Sequence, residues 1–228
     1  MKRLVAIGDI HGHLDKLNRL LVQVQATTED QLVFLGDYID RGPDSRGVIE
    51  RLLKLQEEFP LTVFLRGNHE QLFIDSLISA EIINGNRLRD LSLTFNEDVQ
   101  SSDLQLFLAN GGMETLSSYS IQNVAEGIPE NHVAFLKATK FWWRNGQFIF
   151  VHAGLKTGVP LEDQDLYDLL WLRRHVPDHE YEIQVVGHTP TKGSPYFGLG
   201  VYNLDTGAGY SGPLTACDVL TKQVWQAF

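Results

Sequence analysis

Gly36-Asp37-Tyr38-Ile39-Asp40-Arg41-Gly42 sets two carboxylates and a guanidinium between glycines. It follows Gln31-Leu32-Val33-Phe34-Leu35, a short apolar run that reads as a buried strand. A strand that ends in Gly-Asp and turns through Asp-Arg-Gly delivers charge to a sheet edge, where ligands of α/β folds commonly bind. Taken alone, the heptad also reads as an ordinary acidic turn, because Asp and Gly are common turn residues. Whether the chain supplies partners for its charges separates the two readings.

Upstream, Arg3 to Ile7 reads as another buried strand, followed by Gly8-Asp9-Ile10-His11-Gly12 and by Leu14, Leu17, Leu20, Leu21 and Val24 at helical spacing. Downstream of the heptad, Val48, Ile49, Leu52, Leu53 and Leu55 mark a second amphipathic helix, with Asp44-Ser45 placed to cap it. Leu61 to Leu65 is a third strand, leading through Arg66-Gly67-Asn68-His69-Glu70 into a helix with Leu72, Phe73, Leu77 and Ile78. Three successive strand-loop-helix units predict an α/β protein with a parallel sheet segment.

From about 84 to 139 the pattern turns mostly helical, broken at Asn110-Gly111-Gly112 and Gly127-Ile128-Pro129, and reads as a helical cap. Lys140 to Arg144 and Gln147 to Val151 flank Asn145-Gly146, a dipeptide suited to a type I′ hairpin turn. The second arm ends at His152-Ala153-Gly154. A short helix over Leu166 to Leu172 precedes strand Glu182 to Val186, which runs into Gly187-His188-Thr189-Pro190. Gly200 to Leu204, Thr215 to Leu220 and Gln223 to Ala227 are the last strands, and residues 1–228 read as a single domain.

With 228 residues, 43% hydrophobic and 21% charged, the chain has the composition of a globular protein with a real core. Its 19 Lys and Arg stand against 29 Asp and Glu, a net charge of -10, which argues against bulk nucleic-acid binding. A small phosphate can still be bound locally, since bound divalent cations and a few arginines outweigh the global sign. Cys217 is the lone cysteine, so an intramolecular disulfide and a Cys-rich metal site are both excluded; it reads as a small buried apolar residue. The apolar run Leu4 to Ile7 is too short for a signal-peptide core, and no stretch suits a membrane span, so a cytoplasmic location and no membrane partner are expected.

Five strand-like segments thus run directly into polar blocks: Asp9 and His11, Asp37 and Asp40, Asn68 and His69, His152, and His188. Carboxylates, imidazoles and an amide oxygen, without thiolates, are a donor set for Mn²⁺, Fe²⁺ or Zn²⁺. Individually each has an ordinary reading as a cap, turn or satisfied polar residue. Of the remaining histidines, His13 has no assigned role, and His132, His175 and His179 read as parts of solvated faces.

Gly8-Asp9-Ile10-His11-Gly12, the opening heptad, Gly67-Asn68-His69-Glu70, His152-Ala153-Gly154 and Gly187-His188-Thr189, in that order, resemble the PPP-type serine/threonine phosphatases within the calcineurin-like metallophosphoesterases. Asn110-Gly111-Gly112, Leu170-Trp171 with Arg173, and Leu204-Asp205-Thr206-Gly207-Ala208 are similar to the compact bacterial and phage members. The resemblance implies a β-sandwich of two mixed sheets flanked by helices. It also implies two divalent ions, Mn²⁺ with Fe or Zn as alternatives. Asp9, His11 and Asp37 would hold one, and Asp37, Asn68, His152 and His188 the other, with Asp37 bridging. A water between two such cations loses a proton easily and would attack phosphorus in line. By the same resemblance His69 is the general acid for the leaving oxygen, Asp40 orients it, and Arg41 and Arg173 clamp the phosphoryl oxygens. Arg174, beside Arg173, is the alternative there, while Glu70 and Asp205 read as supports of the site.

The expected activity is that of a serine/threonine protein phosphatase acting on phosphoprotein or small phosphoesters. A diadenosine tetraphosphatase is the nearest rival. Those enzymes usually carry Asn-His-Asp and lack the middle Asp of Asp-Arg-Gly, whereas this chain has Asn68-His69-Glu70 and Asp40-Arg41-Gly42. A catalytically dead scaffold is the other rival, and the complete donor and acid set argues against it.

Overall fold

The computed structural model describes residues 3–83, 102–121, 127–173 and 182–228. Strands β1 (Leu4–Ile7), β2 (Gln31–Phe34) and β3 (Val63–Phe64) alternate with helices α1 (Leu14–Val24), α2 (Ser45–Glu58) and α3 (Asn68–Ile83). The three strands pair in parallel, with Leu4 opposite Gln31 and Val33 opposite Val63. Asp44 caps α2 as its sequence position predicts, accepting from the Gly47 amide at 2.8 Å.

Two late strands, β9 (Leu214–Asp218) and β10 (Gln223–Ala227), join this sheet antiparallel and give the order β10-β9-β1-β2-β3. A second sheet of β4 (Trp142–Asn145), β5 (Phe148–Val151), β6 (Ile183–Val186), β7 (Tyr196–Gly198) and β8 (Val201–Asn203) has the order β4-β5-β6-β8-β7. Its β5, β6 and β8 are parallel while β4 and β7 pair antiparallel, so both sheets are mixed.

The side-chain period of two sends alternate residues of the central strands into different cores. Leu4, Ala6, Val33, Leu35, Phe148, Phe150, Val185 and Cys217 pack between the sheets. Val5, Ile7, Leu32 and Phe34 face the other way, onto Leu17, Leu20, Val48 and Leu52 of the helices. Ile149, Val151 and Val186 cover the outer face of the second sheet with Leu155 and Leu169. Burial on both faces is why these strands read as continuous apolar runs and not as alternating ones. Cys217 is buried, and burial pushes its thiol up to about 12.

Of the segment read as a cap, 84–101 and 122–126 lie outside the described residues. The described part holds α4 (Ser102–Phe107), a π-helical turn (Leu108–Gly112), α5 (Met113–Ser118) and α6 (Glu130–Ala138). Gly111, at φ 103°, breaks the helical path between α4 and α5. A last helix, α7 (Leu166–Trp171), precedes β6.

Several sequence expectations need correction. The β4–β5 turn is Gly146-Gln147, with Asn145 still paired to Phe148. Gly146 has φ 58° while Gln147 has no positive φ, so the type I′ pattern, which needs it at both central residues, is not formed. Strand β7 was not anticipated, being three residues long and ending in glycine. His132 is not on a solvated face: it is 3% exposed, with its Nδ1 2.8 Å from the Tyr119 hydroxyl. His175 and His179 lie outside the described residues.

Candidate metal centre

The polar blocks meet because the central strands of both sheets end toward one another. The heptad leaves β2 through Gly36 at φ 103°, where an added Cβ would lie 2.5 Å from the Gly67 amide and 2.9 Å from the His152 ring. Only glycine tolerates that path. Gly42 does not have a positive φ; it is needed because a Cβ there would come within 2.1 Å of the His11 carbonyl.

Asp37 sits at the meeting point. Its Oδ1 lies 3.4 Å from His152 Nε2, and its Oδ2 lies 3.5 Å from His11 Nε2 and 3.9 Å from His69 Nε2. Asn68 Oδ1 is 3.0 Å from His152 Nε2 and 2.9 Å from His188 Nδ1. Asp9 joins through His188, its Oδ2 accepting from the His188 amide at 2.9 Å. Two donor groups can hold a cation: His11, Asp37 and His69, and Asp37, His152 and His188. Both contain Asp37, the position the resemblance makes the bridge. The first contains His69, which the resemblance makes the acid, while Asp9 falls in neither.

The donor chemistry fits divalent cations. His152 gives its Nδ1 proton to the Leu35 carbonyl at 2.8 Å, and His11 gives its own to the Ile39 carbonyl at 3.0 Å. Those bonds fix the tautomers and turn each Nε2 inward, as backbone partners of metal-binding imidazoles do. Asp9 Oδ1 and His188 Nε2 are buried without a hydrogen-bond partner. A converging set of lone pairs needs a proton or a cation between them.

Burial and neighbouring charges move the members of the set in opposite directions. Burial opposes charge on His152, but the Asp37 carboxylate outweighs it and raises the imidazole to about 10. Burial likewise works against ionised Asp37, yet His152, His69 and His11 hold its carboxyl well below the usual range. Burial and neighbouring Asp205 push Asp9 well up. His188 drops to about 3 through burial and the charge of His152.

His69 is set differently. Its Nδ1 donates to Asp40 Oδ2 at 2.6 Å and its Nε2 accepts from Arg41 Nη2 at 3.0 Å. Burial disfavours the imidazolium, but Asp37 and Asp40 outweigh that and raise its pKa. Asp40 is itself held on both sides: Thr115 Oγ1 donates to its Oδ1 at 2.6 Å, and its amide donates to Ser45 Oγ and Thr115 Oγ1. Arg41 Nη1 also donates to His11 Nε2 at 2.8 Å. Arg173 is exposed just after α7, close enough to His188 for its charge to depress that ring. Arg174 is outside the described residues.

Glu70 ties two blocks together. Its Oε2 accepts from the Asp37 and Gly67 amides at 2.8 and 2.9 Å, and its Oε1 from the Tyr38 amide at 2.8 Å. Asp205 accepts from the Gly207 amide at 2.9 Å, and burial raises it to about 6. Sequence reasoning missed Thr115, Ser45, Lys16 and Tyr210, all of which touch site residues or the loop beside them. Of these, Ser45 was legible only as part of the helix cap, and Tyr210 only as an aromatic residue two positions past the quoted Asp205-to-Ala208 block.

Residues 2–210 match the family model for calcineurin-like phosphoesterases. The chain belongs to that family. This phosphoesterase is 29% identical over 223 residues to serine/threonine-protein phosphatase 1 of Salmonella typhimurium, covering 92% of this chain and 88% of the relative. It is 27% identical over 227 residues to the asymmetrical bis(5'-nucleosyl)-tetraphosphatase PrpE of Oceanobacillus iheyensis, covering 92% and 86%. A solved structure described as a candidate diadenosine tetraphosphatase superposes with a TM-score of 0.69 at 20% identity, over 99% of this chain and 92% of that one. The shared fold is the α/β sandwich of two mixed sheets flanked by helices, and the His/Asp clusters of this phosphoesterase fit its metal-binding character. Among the described residues no helix is long and apolar enough to cross a membrane.

Proposed function

We propose that this phosphoesterase is a Mn²⁺-dependent phosphomonoesterase that acts on phosphoproteins at serine and threonine, as a single cytoplasmic catalytic domain. The observation that carries the reading is the placement of Asp37 between both imidazole sets, next to a histidine braced by Asp40. Asp9, His11 and Asp37 would hold one cation and Asp37, Asn68, His152 and His188 the other. When bound, the ions supply Lewis-acid stabilisation of phosphoryl charge and an acidified water.

The chain's own residues do the rest. Arg41 and Arg173 bind the phosphoryl oxygens and offset the charge that grows in the transition state. His69 delivers a proton from Nε2 to the departing seryl or threonyl oxygen, and Asp40 at Nδ1 keeps the ring oriented and favours its charged form. Arg41 must release Nε2 for that transfer, since it donates there at 3.0 Å in this structure.

Dinucleoside tetraphosphate hydrolysis is the second reading, favoured by the similarity to a bis(5'-nucleosyl)-tetraphosphatase. The intact Asp40 and the glutamate at position 70 favour the phosphoprotein reading. The test is a rate comparison on p-nitrophenyl phosphate, phosphoseryl, phosphothreonyl and phosphotyrosyl peptides and diadenosine tetraphosphate, with Mn²⁺ and after chelation. Faster turnover of phosphoseryl and phosphothreonyl peptides, lost on metal removal, is expected. Activity that survives verified metal removal refutes the mechanism, and preference for the dinucleotide refutes the substrate assignment.

A further inference from the structure

Loop 207–212, between β8 and β9, is pressed against the turn that carries the phosphate-facing groups. A Cβ on Gly209 would lie 2.4 Å from the His11 ring, so this loop runs directly over that imidazole. One residue on, Tyr210 presents its ring to Arg41, whose Cζ lies 4.9 Å from the ring centroid. Tyr210 is 62% exposed, so core burial does not account for an aromatic side chain there.

The loop is held from below by an unusual group. Lys16, in α1, is 9% exposed, and its Nζ donates to the carbonyls of Ala208 at 3.1 Å and Gly212 at 2.8 Å. The Tyr210 and Gly212 amides both donate to the Gly207 carbonyl at 3.0 Å. A buried ammonium tying both flanks of Tyr210 fixes where its ring can lie. Arg41 is fixed at its other end, its amide donating to the Gly111 carbonyl at 3.1 Å.

We propose that Tyr210 is a positioning residue for Arg41, its ring holding the guanidinium plane toward the phosphoryl group while Lys16 anchors its loop. This rests on the phosphomonoesterase reading above. A guanidinium already confined to a ring face loses less freedom when it takes up phosphate, so the gain appears in binding of the phosphoryl group and not in capture of the metal. An exposed cation–π contact predicts an effect of ~2- to 5-fold.

The experiment compares wild type, Tyr210→Ala, Tyr210→Phe, Arg41→Ala and the Tyr210→Ala/Arg41→Ala double variant, with Mn²⁺, on p-nitrophenyl phosphate and a phosphoseryl peptide. Inhibition by inorganic phosphate and Mn²⁺ affinity by calorimetry are measured alongside. Tyr210→Ala is expected to raise KM and the phosphate inhibition constant ~2- to 5-fold for both substrates, with Mn²⁺ affinity unchanged. Tyr210→Phe keeps the ring face and restores wild-type values, and Tyr210→Ala adds nothing in the Arg41→Ala background. Full additivity in that background, or a loss confined to the aryl substrate, overturns the proposal, because the ring then acts on something other than Arg41. Lys16→Met, checked for folding by circular dichroism, is expected to give the same rise; unchanged kinetics remove Lys16 from the device. A wild-type protein inactive on both phosphomonoesters overturns the underlying reading and this proposal with it, whereas an active wild type with an unaffected Tyr210→Ala overturns this proposal alone.

Discussion

Thr115→Val removes one hydroxyl and keeps the shape of the side chain. In the folded protein that hydroxyl donates to Asp40 Oδ1 at 2.6 Å and accepts from the Asp40 amide at 2.9 Å. The amide keeps Ser45 Oγ at 3.0 Å, so its loss is partial. Among the described residues Oδ1 keeps no other hydrogen bond, and Asp40 is fully buried. A hydrogen bond to a charged acceptor contributes ~1.5–3 kcal/mol, so the variant should lose about that much stability. For a chain of this length the melting temperature then falls by ~3–12 °C.

The same substitution reaches the chemistry. The Thr115 hydroxyl helps keep Asp40 ionised against its burial, and Asp40 in turn favours a charged His69. If ~1.4 kcal/mol of that support is lost where the leaving oxygen takes up its proton, turnover slows ~10-fold. The slowing should be greatest for alkyl phosphates, whose leaving groups need the proton, and slight for p-nitrophenyl phosphate. Urea denaturation and a leaving-group series on wild type, Thr115→Val and Thr115→Ser test both parts. Thr115→Ser keeps the hydroxyl and should lie near wild type. A Thr115→Val protein of unchanged midpoint and unchanged leaving-group dependence refutes the assignment of Thr115 as the brace behind Asp40.

His69→Asn is expected to leave Mn²⁺ binding in place and slow turnover by ~10²–10⁴ on poor leaving groups, far less on good ones; equal slowing across the series argues against the acid role. Glu70→Asp withdraws a carboxylate that serves the Asp37, Tyr38 and Gly67 amides together, and should weaken metal affinity ~10- to 100-fold by calorimetry. Away from the site, hydrogen bonds from Arg3, joined by two from Thr27, lower Asp30 to about 2, so its ionised form stabilises the fold, fully so at pH well above 4. Because the folded pKa is the lower one, this stability fades as pH falls from 4 toward 2. Urea midpoints of wild type and Asp30→Asn should therefore differ clearly at pH 6 and by roughly half as much at pH 3; a constant difference removes the linkage.

Legibility in the sequence followed contiguity. Strands buried on both faces appear as short apolar runs, and Leu4–Ile7, Gln31–Phe34 and Phe148–Val151 each deliver their polar block within a few residues, so fold class and donor set can be read together. Thr115 could not be read this way. It lies 75 residues from Asp40 in a helix of six residues, and no periodicity links a lone threonine to a distant carboxylate. Tyr210 and Lys16 join only through the antiparallel return of β9 beside β1, a pairing that a strand pattern does not specify. His132 misled for a related reason: its burial depends on Tyr119, a partner that the sequence pattern of α6 does not reveal.

Backbone strain explains why the site needs so many such partners. His11, Asp37, Asp40, Arg41 and His188 are five of the eight non-glycine residues with positive φ among the described residues. The left-handed region costs a residue with a Cβ ~1–2 kcal/mol, so five together approach the net stability of a typical domain. Glycine would relieve each position and would remove the carboxylate, imidazole or guanidinium that the position presents. The strain persists because each of these amides is pinned by another part of the site: His11 by the Asp37 carbonyl, Asp37 by Glu70, Asp40 by Ser45 and Thr115, Arg41 by the Gly111 carbonyl, and His188 by Asp9. All of those acceptors but Gly111 are themselves site residues or side chains that brace them, so the turns hold one another in place. The heptad is therefore rigid only within the assembled set of loops, and a change to any one acceptor acts on the geometry of the donors two or three blocks away.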